Sequence, residues 1–250
     1  MARSMLRVIP PLTYEEHCMS TLKLLDQLLK SGAELINDRG PASRREGGDN
    51  GSGLSGLVSG KTGAALGGGA LGMLLGSKKG RKLGGKVLTY GGLAALGLVA
   101  YKAYGNWQRN NGQGAQPEPR TIDRLPPEQG EKHSRAILTA LIGAAKADGH
   151  VDERERQLID EEMERLSQDR ALLAWVDAEL RKPVDPAEVA REAVTPEMAA
   201  EMYLASLLAV DEENFMERSY LAELARQLNI APALETELRG QLAQAEQQYR

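Results

Sequence analysis

The sequence predicts an all-α protein, and three observations carry that expectation. Apolar residues in the C-terminal half recur at helical spacing, capping residues and prolines punctuate them, and no stretch alternates with the period of a strand. The expected architecture is one or two glycine-rich membrane segments followed by an acidic bundle of about seven helices.

Residues 1–39 read as an N-terminal extension and an amphipathic helix. Leu22, Leu25, Leu28, Leu29 and Ile36 share one face, and Gly32 or the Asp38–Gly40–Pro41 stretch stops the helix. Pro10 and Pro11 interrupt any signal-peptide pattern. Met19 is read as an alternative start to Met1, because Glu15–Glu16 can be encoded by a purine-rich ribosome-binding sequence.

Residues 40–60 form a polar linker rich in Gly, Ser and Arg. The glycine-rich membrane region then spans 61–107. Thr62–Ser77 carries no charge, Lys78, Lys79, Arg81, Lys82 and Lys86 form a basic knot, and Val87–Tyr101 is a second apolar run. Residues 83–105 are the stronger span, since one helix over them measures about 34 Å at 1.5 Å per residue against a hydrocarbon core of about 30 Å. Lys86 and Lys102 stand near its ends, and Tyr101, Tyr104 and Trp107 fall where an interfacial aromatic belt belongs. Gly68, Gly72, Gly76, Gly80 and Gly84 recur every four residues, a stripe suited to close helix packing and to a homo-oligomer.

A Pro-rich linker covers 108–130, and residues 131–250 make the helical domain. Its expected helices are 132–147, 152–166, 172–180, 186–193, 197–210, 214–228 and 232–248. Thr195–Pro196 is the clearest start, with Thr as N-cap and Pro at the first helical position. Met198, Met202 and Met216 read as core, and His133 and His150 as exposed, since neither histidine has a second ligand at metal spacing.

Charge separates the halves. Residues 1–120 hold 16 basic and 8 acidic side chains, whereas 121–250 hold 15 and 27. A strongly acidic domain disfavours nucleic acid, whose phosphates require positive charge, and the basic half suits anionic lipid. The single cysteine, Cys18, excludes an intrachain disulfide. Ser55–Thr62 lacks the first glycine and the preceding strand of a phosphate-binding loop. No nucleophile elbow or metalloprotease histidine pair is present, so the expectation is a non-enzymatic protein.

The informative stretch is Ala145–Glu155, AKADGHVDERE. Its Glu153 and Ile159 stand where a calcium loop of the EF-hand type needs glycine and a bidentate acid, which excludes that motif. Leu208–Arg218 repeats the theme of helix, Asp, polar turn, hydrophobe and Glu–Arg, a sign of hairpin duplication. The first stretch resembles the TerB domain of tellurite-resistance proteins. Together with the glycine-rich segment, the basic knot and FMERSYL at Phe215–Leu221, the chain from Leu22 onward resembles the YebE-like inner-membrane protein family.

The TerB resemblance implies a helical bundle and an acidic surface for a divalent cation. By that match Asp148, Glu155, Asp211 and Glu217 are the candidate ligands, and an oxygen-only site suits calcium, magnesium or manganese. The second hairpin departs from the pattern, with Glu212 where the first has Gly149. The same acids also read as helix caps: Asp152 and Glu155 form a capping-box arrangement. The functional expectation is an inner-membrane interaction or sensing module linked to envelope or metal and tellurite stress. Its partners are membrane lipid and a protein; the alternative is a glycine-stripe oligomer with the helical domain as regulatory cap.

Overall fold

The computed structural model describes residues 20–37, 89–112, 118–147, 153–210 and 214–248. Among the described residues the chain is entirely helical. The helices are α1 (Ser20–Asn37), α2 (Thr89–Asn110), α3 (Pro127–Ala145), α4 (Glu153–Leu166), α5 (Arg170–Arg181), α6 (Pro186–Ala190), α7 (Pro196–Ala209), α8 (Phe215–Gln227) and α9 (Pro232–Gln248), with a 3-10 turn at Ile122–Arg124.

Local chemistry explains most of the boundaries. Thr195 Oγ1 accepts from the Met198 amide at 3.2 Å, and Pro196 opens α7. Asp169, Asp185 and Asn214 cap α5, α6 and α8 in the same way. After α8, Asn229 takes a positive φ of 55°, and the Ile230 amide reaches back to the Ala225 carbonyl at 2.9 Å, a C-terminal cap of the Schellman kind. At the N-terminus of α1, Glu131 on α3 accepts from the Thr21 and Leu22 amides at 3.2 and 3.3 Å.

α3 and α7 form the centre, pressed together along their lengths. α7 is buried on every side: from Met198 to Ala209 no residue reaches solvent. α2, α3, α8 and α9 surround it, which is why its sequence is apolar all round rather than along one stripe. α6 and α8 cover one side, while α1, α2 and α9 pack on another and share the same hydrophobic cluster.

α2 corrects the expected span over 83–105. Residues 83–88 lie outside the described residues; the helix begins at Thr89 and is interrupted at Gly92, whose φ of 48° and ψ of −126° no helix contains. The interruption frees the Leu93 amide, which donates to Asp26 of α1 at 3.3 Å. Leu93, Leu96, Ala100 and Ala103 form a stripe buried against α1, α7 and α9. The aromatic residues are likewise used within the protein. Arg124 stacks over Tyr101 at 3.8 Å, and Tyr104 is buried with its ring centroid 5.4 Å from that of Trp107. Among the described residues no helix is long and apolar enough to cross a membrane. Length and low charge cannot separate the two settings, because a protein core and a bilayer both reward burial of apolar surface. The first apolar run, 62–77, and the glycine stripe lie outside the described residues.

Candidate functional site

One recess borders the first family-like motif, and Tyr220 of the second packs against Gly143 in its lining. Gly143 and Lys146 stand at the end of α3, immediately before the first acidic hairpin, and face the Lys182–Asp185 turn and α6. The free volume is about 30 Å³, room for one or two waters and far below that of a metabolite pocket.

Lys146 is buried, and its Nζ donates to the Glu179 carbonyl at 3.1 Å and to the Lys182 carbonyl. These carbonyls end α5, so the ammonium sits where the helix dipole is negative. Burial lowers the Lys146 pKa, with Glu179 opposing that shift. Lys182 pairs with Glu179 at 2.7 Å and Glu188 at 3.1 Å, and the hydrogen bond to Glu179 raises its pKa. Asp185 caps α6 through the Ala187 amide at 2.9 Å. Both lysines and their oxygen partners are thus committed to joining α3, α5 and α6.

Tyr220, from FMERSYL, reaches the same place from α8. A Cβ on Gly143 would lie 2.5 Å from its Oη and 3.0 Å from Val189 Cγ2, so any larger residue would force these neighbours to move. The hydroxyl is buried without a hydrogen-bond partner among the described residues, and burial raises its pKa. At the other end of the motif, Phe215 is 71% exposed and Met216 53% exposed. Met216 therefore does not join the core: it occupies the first turn of α8, on the solvent side of the helix that buries Tyr220 and Leu221. Met198 and Met202 are core residues.

Of the expected metal ligands, Asp148, Asp211 and the side chain of Glu155 lie outside the described residues. Glu217 lies on α8, half-buried, with one carboxylate oxygen shielded from solvent. Among the described residues no three His, Cys, Asp or Glu side chains converge to hold a metal ion. Asp152 and His150 also lie outside them.

The pair that sequence reading missed is at the centre. His133 is only 5% exposed, correcting its expected place at the surface, and Glu201 is 0% exposed. His133 Nδ1 stands 3.2 Å from Glu201 Oε2, while Glu201 Oε1 accepts from the Ile122 amide at 2.7 Å. Burial raises the Glu201 pKa against the pull of His133 and the Ile122 amide. One signal was present: Glu201 is the sole charge in Met198–Val210, and a lone acid in an apolar helix requires a buried partner.

Among the described residues the chain is an all-helical bundle in which residues of both motifs tie helices together. Residues 60–242 match the family described as protein of unknown function, DUF533, a TerB-like family, and the chain belongs to it. A relative in Yersinia enterocolitica, an uncharacterised protein in the ampR 5′ region, is 32% identical over 118 residues, covering 47% of this chain and 84% of its own length. No solved structure matches the chain.

Proposed function

We propose that the chain is a non-enzymatic interaction module of the bacterial inner membrane, in keeping with its YebE-like features, and that it serves envelope or metal-stress sensing. The supporting observation is the exposure of Phe215 and Met216. They are adjacent large apolar side chains, one of them the only phenylalanine in the chain, and they stand in solvent within its most distinctive motif. Such side chains anchor protein contacts when a partner covers them. Lipid attachment is assigned to the apolar and basic sequence of 61–88 rather than to α2, whose apolar face is already covered by α1, α7 and α9.

The test is site-specific photo-crosslinking in cells from position 215, followed by carbonate washing of the membranes. The reading expects the protein in the washed membranes and a defined adduct from 215, with none from the buried Leu238. Recovery in the soluble fraction refutes the attachment, and membrane-bound protein without an adduct from 215 refutes the docking role.

A further inference from the structure

The connection from α2 to α3 is fastened at several points. Thr121 and Ile122 are buried. Asp123 lies so close to Gly97 of α2 that a Cβ there would stand 2.5 Å from its Oδ1, and Arg124 covers the Tyr101 ring. A hydrogen bond joins this strap to the centre of the bundle, from the Ile122 amide to Glu201. The other oxygen of that carboxylate faces His133. Two titratable groups are therefore buried together, one of them holding the strap's backbone.

We propose that His133 and Glu201 form a one-proton latch that keeps the strap, and α2 with it, on the bundle and releases both when the pair loses its proton. With one proton the pair is neutral overall, whether as two neutral groups or as imidazolium and carboxylate. Without it, the core holds a carboxylate with no counter-charge, stabilised only by the Ile122 amide, a costly state in a medium of low dielectric. Asp123, from the strap, adds repulsion. Among the described residues the other facing charges are engaged elsewhere. Arg124 is directed to Asp123, Glu118 and Tyr101, Arg239 of α9 is engaged with Glu235 and Tyr203, and Glu197 on α7 itself acts on Tyr104.

The sign follows from the direction of the Glu201 shift. Burial raises its pKa, so the closed state keeps a proton that the open state gives up, and closure weakens as pH rises. In the open strap a solvated carboxyl titrates near about 4.3 and an imidazole near about 6.5. Opening therefore releases a proton wherever the closed pair still holds one that the open groups do not, and over that range the opening constant climbs by up to about tenfold per pH unit. The proton goes to solvent, and no other reactant is needed. Opening uncovers the Leu93–Leu96–Ala100–Ala103 face of α2.

Hydrogen exchange of the full-length chain, followed by mass spectrometry from pH 6 to 9 and corrected for the chemical exchange rate, tests the latch. In the wild type, protection of peptides covering 118–125 and 89–112 should fall together as pH rises, by up to about tenfold per pH unit. Glu201→Gln keeps an acceptor for the Ile122 amide and has no proton to lose, so its protection should stay flat across the range. His133→Gln leaves the carboxylate alone. Its loss of protection should begin at lower pH, leaving it on the order of tenfold or more below the wild type at pH 6. Flat wild-type protection overturns the proposal, as does a wild-type slope in Glu201→Gln or opening of 118–125 without 89–112. If Glu201→Gln does not fold, the His133→Gln profile decides, and an unshifted onset overturns the latch.

Discussion

Gly143→Ala probes the contact between α3, α6 and α8 most directly. The added methyl would stand 2.5 Å from Tyr220 Oη and 3.0 Å from Val189 Cγ2, so the neighbours must move. Overpacking of this kind costs about 1–3 kcal/mol, while alanine in place of a helical glycine returns up to about 1 kcal/mol. The net expectation is a loss of about 1–2 kcal/mol, or roughly 2–8 °C in melting temperature for a chain of this size. Tyr220→Phe acts in the opposite direction. It removes a buried hydroxyl with no partner among the described residues, and relieving an unsatisfied group of this type is worth about 1–3 kcal/mol. In the double variant the nearest ring atom is Cζ at 3.6 Å, an ordinary contact. The alanine should then be far better tolerated, with a coupling of about 1 kcal/mol or more. Urea denaturation followed by circular dichroism at each corner of the cycle measures this. Gly143→Ala matching or exceeding wild-type stability, or strictly additive effects, would refute the packing argument.

Lys146→Met should destabilise by about 1.5–3 kcal/mol, because the Glu179 and Lys182 carbonyls lose a charged donor; an unchanged urea midpoint would show that water replaces the ammonium without loss. The cation expectation is tested by heating the full-length protein with millimolar calcium, magnesium or manganese. A bound cation raises the melting temperature with ligand excess, and Asp148→Asn with Asp211→Asn should abolish the rise. An unchanged wild-type melting temperature refutes the cation reading.

Much of the helix pattern was legible because its signals are local. Thr195–Pro196, Asp185–Pro186 and Asn214 each carry their own capping chemistry, so the starts of α7, α6 and α8 fall where the residues place them. α3 begins earlier than its apolar periodicity, at Pro127, since proline at the first turn needs no amide partner. Lys146 and Tyr220 lie in the motifs that drew attention. Their roles were not legible, because the carbonyls of α5 and the Cα of Gly143 come to them from distant parts of the chain.

Composition and spacing by themselves determined the helical class and the acidic C-terminal half, both of which depend on near neighbours in sequence. Tertiary structure decided what the apolar surfaces meet. An apolar helix reports only that it avoids water; α1, α7 and α9 made α2 part of the core, and α3 and the strap made Glu201 a buried acid with a histidine beside it. Burial and charge pairing are properties of the surroundings, and those surroundings exist only once helices far apart in sequence, such as those carrying Asn106 and Glu237, 131 residues apart, have come together.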